Sequence, residues 1–203
     1  MIDAETPFRI ALVLVLLLTA AVGIPFRLKA AASGEKISHA DEGYVFAATL
    51  RLIAILLMAV LFAYIISPPL VQWGRIPLPD WIRWLGVFLV AVSSSLMVWT
   101  LRSLGRNLTD TVVVRANATL VTHGPYRWVR HPFYFTTACL MASVTLVSAN
   151  WLIGAGSLLI LGMLALRTPK EELQLIERFG VQYTDYMAKT PRFVPSLIRV
   201  VNR

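Results

Sequence analysis

The chain has 203 residues, of which 57% are hydrophobic and only 15% are charged, and its mean hydropathy is +0.68. Soluble globular domains contain about 45–50% apolar and about 25% charged residues, so this composition argues against a water-soluble domain. The formal charge of +8 would suit nucleic acid, but the arginines lie between apolar runs and not in a stripe on one soluble face, so we expect no nucleic-acid partner.

Four uncharged runs carry the hydrophobic excess: Ile10–Phe26, Leu52–Gly74, Trp84–Leu101 and Pro132–Leu166. Each is near or beyond the roughly 17–25 residues of a membrane-spanning helix, and the last is long enough for two short spans with a turn at Ser148–Trp151. The pattern predicts an all-α integral membrane protein with five transmembrane helices, the last two forming a tight hairpin. They are expected near residues 8–25, 46–66, 84–101, 133–148 and 151–166.

The first run is expected to be a retained helix, because Asp3 and Glu5 precede it where a secretory signal would be basic. Cleavage near Thr19-Ala20-Ala21 is the minor alternative. The single cysteine, Cys139, lies inside an apolar run. It excludes an intramolecular disulfide and a cysteine-based zinc site, and we predict no metal.

The distribution of lysine and arginine predicts the orientation, since cytoplasmic loops accumulate these residues. Three lie in the first connection, five in the third and seven in the tail, whereas the opposite face keeps only Arg9, Arg75 and Arg83. Arg51 stands at a helix start. We therefore predict an N-terminus on the outer or lumenal side and a cytoplasmic C-terminus. The sequence does not distinguish a bacterial inner membrane from the endoplasmic reticulum.

The whole chain, 1–203, is expected to be a single membrane domain, with three spans in 1–101 and a catalytic half in 102–203. Two polar segments, Arg102–His131 and Arg167–Arg203, flank the predicted hairpin. Because antiparallel helices joined by a tight turn end side by side, these segments should meet at the cytoplasmic surface. Any site of chemistry is expected there.

Arg130-His131-Pro132 introduces the fourth predicted helix, with the proline suited to its first turn. One interpretation is a basic helix start that anchors the chain at the interface. The other is a site that holds a carboxylate, because the first turn of a helix leaves N–H groups free at a positive dipole end. Spacing alone leaves the two evenly matched.

A second polar cluster follows the fifth predicted helix. Thr168, Pro169 and Glu171 fit a capping box for a new helix, which would give Glu171 a structural role. Arg167 lies at the membrane edge four residues before Glu171, and an ionisable residue at that depth is a functional candidate. Glu172 is predicted to point elsewhere and to be solvated.

The tail carries apolar residues at helical spacing between Leu173 and Tyr186, which predicts an amphipathic cytoplasmic helix lying on the membrane or over the site. Tyr183 and Tyr186 are expected to be packing residues.

Two motifs in order resemble the isoprenylcysteine carboxyl methyltransferase family of integral membrane enzymes. The matching positions run from about Ala118 to Pro195: Leu120-Val121, Gly124, Tyr126, Arg130-His131-Pro132, Tyr134, then Arg167, Glu171-Glu172, Phe179-Gly180, Tyr183, Tyr186 and Pro195. The family often has histidine where this chain has Ala118, and here Pro169-Lys170 replaces a longer acidic run.

The resemblance implies an S-adenosylmethionine-dependent methyltransferase, with S-adenosylhomocysteine as product and a lipophilic or lipidated acceptor that comes from the bilayer. It implies cofactor contacts from Ala118, Thr119, Leu120, Val121, Tyr126, His131, Pro132, Phe133, Tyr134 and Glu171. Arg167 and Arg130 would be the catalytic residues, with Arg167 facing the acceptor. An isoprenylcysteine carboxylate is the expected acceptor.

Three alternatives stay open at this point. Membrane sterol reductases resemble the same C-terminal architecture and use a nicotinamide dinucleotide, phospholipid N-methyltransferases share the methyl donor, and a non-catalytic scaffold would use these motifs only to cap helices.

Overall fold

The computed structural model describes residues 4–31, 43–105 and 119–195. These ranges form six α-helices: α1 (Thr6–Ala31), α2 (Tyr44–Ile66), α3 (Asp80–Leu104), α4 (Pro132–Ser148), α5 (Trp151–Phe179) and α6 (Val181–Lys189). Short 3-10 helices lie at Pro68–Gly74 and Gly124–Arg127. The described ranges hold no β-strand, only an isolated bridge between Arg75 and Asn150.

Within the described ranges, four helices are long and apolar enough to cross a membrane: Thr6–Pro25 within α1, and α2, α3 and α5. The shorter helix α4 is also apolar, and its 17 residues are close to the lower limit of ~17 for a membrane span. The chain is therefore a multi-pass membrane protein of helices, as predicted. The predicted count of five spans depends on α4.

Helix α5 is much longer than predicted and overturns the capping box. It continues from Trp151 to Phe179 with Pro169 inside it, and the Thr168 hydroxyl donates to the Leu164 carbonyl at 2.9 Å as part of the same helix. The residues after Pro169 are good helix formers, Glu171 is held by Tyr134 of α4 and Glu172 by Arg130 just before α4, so the helix continues through the proline. Glu171 therefore lies inside a helix and caps none.

A two-residue turn joins α4 to α5, as predicted. Ala149 adopts a left-handed conformation (φ 45°), and the Asn150 side chain accepts from the Leu152 N–H at 3.0 Å, which caps α5. The same side chain donates to the Val71 carbonyl at 2.9 Å. Asn150 therefore fixes the turn to the Pro68–Gly74 segment.

Helices α3 and α4 pack closely because α3 has a glycine at the crossing. A Cβ on Gly86 would lie 2.9 Å from Leu146 Cβ and 3.0 Å from the Val147 nitrogen. Small residues allow such close approach, which drives helix association where lipid removes the hydrophobic effect. The hairpin thereby has two distinct ends: the motif end, where α4 begins at Pro132, and the turn end, at Ala149-Asn150.

The predicted amphipathic tail helix is two helices. Its first part is the end of α5, and α6 begins at Val181 after Gly180, which has a φ of 54°. Helix α6 buries Tyr183 and Tyr186 on one side. The position of α6 relative to the membrane surface stays a prediction.

Candidate active site

The loop before α4 is packed against the end of α3 at the motif end. Gly124 has a φ of 60°, and a Cβ there would overlap the hydroxyl of Ser103 on α3. Trp128 follows in the same loop, and its ring lies 5.3 Å from the ring of Trp99 on α3. The sequence therefore needs glycine at position 124, both for the backbone conformation and for the close contact.

A buried carboxylate connects α5 to the start of α4. Glu172 Oε1 accepts from Arg130 Nε at 2.9 Å and lies 3.2 Å from His131 Nε2. Only 3% of Glu172 and 5% of His131 are exposed. The prediction that Glu172 is solvated is therefore wrong. Because α5 is continuous, Glu172 shares the buried face of Thr168, four residues earlier.

The segment after α6, residues 190–195, lies across the same helix start and is called the C-terminal strap below. The Arg130 N–H donates to the Pro191 carbonyl at 2.9 Å, and the His131 N–H donates to the Arg192 carbonyl at 3.0 Å. The Arg192 side chain donates to Glu172 Oε2. Arg130 also donates to the Thr190 carbonyl at 2.6 Å and to the Met187 carbonyl at 3.1 Å. The start of α4, α5 and the C-terminal segment thus form one ion-paired unit.

Beside this unit, Glu171 and Tyr134 form a second contact between α5 and α4. The Tyr134 hydroxyl donates to Glu171 Oε2 at 2.6 Å. The Tyr134 ring stacks on the His131 ring, with centroids 5.5 Å apart and planes 7° apart, and Phe193 lies 6.4 Å from Tyr134. A half-buried carboxylate therefore lies next to a group of aromatic rings.

Arg167 is on the same side of α5 as Glu171. The two residues are four apart in an unbroken helix, which places them one above the other, about 6 Å apart along the axis. Arg167 is half-buried and its neighbour Leu166 is exposed. Arg167 therefore lies about one helical turn from Glu171 and next to an exposed leucine.

Two tyrosines of α6 face the motif end. The Tyr186 hydroxyl donates to the Tyr126 carbonyl, so α6 is fixed to the loop before α4. Tyr183 is 2% exposed, and its hydroxyl has no hydrogen-bond partner among the described residues. Burial, and then the nearby Glu172 charge, raises the pKa of Tyr183 above its ordinary range. The Tyr183 phenol therefore stays protonated near neutral pH.

The structure brings most of the predicted site residues to one region. His131, Tyr134, Glu171, Arg130 and Arg167 lie in or beside the ion-paired unit. Pro132 begins α4, Phe133 packs on the buried cluster of Met97 and Leu101, Val121 and Tyr126 are buried, Leu120 is half-buried and Thr119 is exposed. Ala118 lies outside the described residues. The binding and catalytic roles of all these residues stay predictions.

Sequence reasoning missed Glu172, Arg192 and Phe193 as parts of this region. For Glu172 the usable signal was the spacing of four from Thr168, which puts both residues on one face only if α5 continues through Pro169. The contacts of Arg192 and Phe193 depend on where the strap crosses α4, which no local pattern encodes.

Comparison with known proteins finds similarity to the same family that the motifs resemble. The family model described as isoprenylcysteine carboxyl methyltransferase (ICMT) matches residues 84–177. The protein-S-isoprenylcysteine O-methyltransferase of Mus musculus is 28% identical over 126 residues, covering 61% of this chain and 44% of the mouse protein. Protein-S-isoprenylcysteine O-methyltransferase A of Arabidopsis thaliana is 28% identical over 118 residues, covering 57% of this chain and 60% of the plant protein.

A solved structure of the eukaryotic intramembrane Ras methyltransferase ICMT matches with a TM-score of 0.52 and 23% identity, covering 78% of this chain and 54% of that one. The chain therefore has the fold of a multi-pass helical membrane protein of this type. Over residues 84–177 it is similar to the isoprenylcysteine carboxyl methyltransferase family, which agrees with the resemblance in the motifs. The chain spans about half the length of the mouse relative it matches.

Proposed function

We propose that this chain transfers a methyl group from S-adenosylmethionine to a lipophilic acceptor at the membrane surface, with an isoprenylcysteine carboxylate as the acceptor. The observation that carries the proposal is the Glu172-centred unit, which holds the Arg130-His131 motif against α5, where Tyr134 also bonds to Glu171. The names and family of the relatives support the same activity.

The residues at the motif end fit the proposed cofactor. Glu171 is a half-buried carboxylate with acceptor oxygens for ribose hydroxyls or an ammonium group, and Tyr134 and Phe193 offer aromatic surface beside it. The buried Tyr183 hydroxyl makes no hydrogen bond among the described residues and is a spare donor in the same region. We assign cofactor contacts to the predicted set of ten residues, from Ala118 to Glu171.

The cofactor supplies an electrophilic methyl group on a sulfonium. A carboxylate acceptor is already ionised and requires no general base, so the protein's task is to orient it and to exclude water. Arg167 is suited to this role because its guanidinium binds a carboxylate with two parallel hydrogen bonds and leaves a lone pair for attack. The bound cofactor would supply the methyl group, its carbon–sulfur bond breaking as the carboxylate oxygen bonds to carbon, and no proton transfer would be needed.

For Arg130, which was predicted to be catalytic, we propose a positioning role. Its Nε donates to Glu172 and its Nη1 donates to the Met187 and Thr190 carbonyls. These contacts favour a positioning residue that closes the C-terminal strap over the site, instead of a residue that contacts the acceptor.

The acceptor is proposed to reach Arg167 from the bilayer at the cytoplasmic side. Leu166 is 72% exposed beside Arg167, and Leu158 and Leu159 are exposed further along the same helix, so the membrane part of α5 offers an apolar approach. The excess of lysine and arginine in the segments at the motif end supports the proposal that the motif end is cytoplasmic.

The experiment is a transfer assay with the purified chain in detergent and S-adenosylmethionine carrying an isotopically labelled methyl group. We expect label in an S-prenylated cysteine with a free carboxylate and none in the matched carboxamide. A phosphatidylethanolamine arm tests the N-methyltransferase alternative. Heat-shift titration with S-adenosylmethionine and with reduced nicotinamide dinucleotide phosphate adds a binding readout, and stabilisation by the dinucleotide alone would overturn the methyltransferase proposal.

A further inference from the structure

The turn end of the molecule contains a cavity of about 200 Å³ that methyl transfer does not use. It lies at the far end of α4 from Glu172. Its polar lining comes from separate helices and turns: Glu5, Tyr64, Gln72, Arg75, Ser148 and Asn150. This volume is below the roughly 300–1,000 Å³ of a site for a drug-sized ligand, so it suits a small group.

The cavity has an excess of positive charge. Arg83 is 2% exposed, donates to Glu5 through both of its Nη atoms and donates through Nε to the Val147 carbonyl at 3.0 Å, so the fold itself neutralises the Glu5 carboxylate. Arg75 adds a second cation, with one nitrogen 3.1 Å from Glu5 and 53% of its side chain exposed. An anion that entered the cavity would therefore meet the Arg75 guanidinium, which has N–H donors beyond the one directed at Glu5.

Exposed tryptophans around the cavity indicate that it lies at the level of the lipid headgroups. Trp73, Trp81, Trp84 and Trp151 are all at the turn end, and each is at least 48% exposed. Tryptophan is enriched where the hydrocarbon meets the polar headgroups, so this group of rings indicates the interface. Arg75 follows Trp73 by two residues and is therefore within reach of headgroup phosphates.

The wall of the cavity is fixed before any ligand binds. The Ile76 N–H donates to the Ala149 carbonyl at 2.6 Å, and Asn150 bonds to the Val71 carbonyl. A Cβ on Gly74 would lie 2.8 Å from Asn150 Oδ1, so the two segments are in close contact. A preformed site loses little entropy on binding.

We propose that this cavity binds the phosphate of an anionic lipid headgroup in the leaflet at the turn end. Arg75 supplies a forked pair of donors, which matches phosphate geometry. Gln72 adds its amide, which makes no side-chain hydrogen bond within the described ranges. A free phosphate ion has the same chemistry, and the lipid is favoured because the surrounding tryptophans place the cavity at the interface.

The test is thermal unfolding of the full chain in neutral detergent with added phosphatidylglycerol, phosphatidylcholine or inorganic phosphate. We expect phosphatidylglycerol to raise the Tm by about 4 °C and the other two additives to change it by less than about 1 °C. Arg75→Gln should lose the shift and Arg75→Lys should keep part of it. Each variant is compared with its own lipid-free Tm, and Arg75→Gln should fold because Arg83 still pairs with Glu5.

Arg178→Gln is the matched control, since it removes one exposed positive charge outside the cavity lining. It should keep the full lipid shift. An equal shift with phosphatidylcholine, or an undiminished shift in Arg75→Gln, would overturn the proposal. A shift with inorganic phosphate as large as with phosphatidylglycerol would overturn the lipid as occupant and assign a free anion.

Discussion

Arg130 and Glu172 form a 2.9 Å ion pair between residues 42 positions apart, with 10% and 4% of their side chains exposed. This pair is where the two sequence motifs meet. The same arginine holds the carbonyls of Met187 and Thr190, so a single side chain connects α4, α5 and the segment after α6. The C-terminal strap should therefore depend on the carboxylate of Glu172.

Glu172→Gln tests this dependence. It removes the negative charge from beneath Arg130 and leaves that buried cation without a counter-charge, which we expect to lower the free energy of unfolding by about 3 kcal/mol. Glu177→Gln on the exposed part of the same helix is the control and should change stability by less than about 0.5 kcal/mol. Thermal unfolding and limited proteolysis of the tail measure both. Equal stability of the two variants would contradict the role of Glu172.

The sequence was sufficient to predict where the helices lie and that the two motifs meet at one end of a hairpin. Hydrophobic length and the turn at Asn150 determine both, and these are local properties. It was not sufficient for residues 167–180. Thr168-Pro169-Glu171 satisfies the local rules for a helix start, but tertiary contacts of Glu171 and Glu172 keep α5 continuous.

The continuity of α5 determines which partners Glu171 and Glu172 bind. In a helix starting at Pro169, the Glu171 side chain would accept from the Thr168 N–H. In the continuous helix, Glu171 accepts from Tyr134 and Glu172 accepts from Arg130. The buried charge of Glu172 is stable only with its partners. These are Arg130, 42 residues earlier in the chain, and Arg192 of the C-terminal strap. Local sequence patterns cannot encode such pairing.

Glu171→Gln should weaken binding of S-adenosylmethionine by about tenfold, because an amide is a poorer acceptor than a carboxylate for a charged or hydroxyl donor. Stability should change little, since the amide oxygen still accepts from Tyr134. Calorimetric titration of the purified variant checks the affinity, with Glu177→Gln as the control. Unchanged affinity would remove Glu171 from the proposed cofactor contacts.

Arg167→Ala should spare cofactor binding and reduce kcat/KM for a carboxylate acceptor by about 10- to 100-fold, the value of a hydrogen bond to a charged group. Arg167→Lys keeps the charge without the fork and should recover only part of the rate. Steady-state kinetics with the prenylated cysteine measure both variants. If Arg167→Ala weakened S-adenosylmethionine binding and left acceptor KM and kcat unaltered, the assignment of Arg167 to the acceptor would be wrong.

Two helix glycines predict opposite effects of the same substitution. Gly86→Ala places a methyl group 2.9 Å from Leu146 and should separate α3 from α4, with a loss of about 1–3 kcal/mol. Gly162→Ala meets nothing within 4 Å and should be neutral or stabilise by about 0.5–1 kcal/mol through helix propensity. Thermal unfolding of both variants in one detergent checks the order. A reversal would mean that the α3–α4 crossing is looser than described.

Tyr183 and Tyr186 form a second matched pair. The Tyr186 hydroxyl bonds to the Tyr126 carbonyl, so Tyr186→Phe should lose about 1 kcal/mol of stability. The Tyr183 hydroxyl is buried with no hydrogen bond among the described residues, so Tyr183→Phe should be neutral or stabilise the ligand-free protein by about 1 kcal/mol. Thermal unfolding with and without S-adenosylmethionine distinguishes a cofactor-binding role of the Tyr183 hydroxyl from a structural role. A smaller cofactor-induced shift in Tyr183→Phe would place this hydroxyl among the cofactor contacts, whereas a less stable ligand-free variant would show that the hydroxyl has a structural partner.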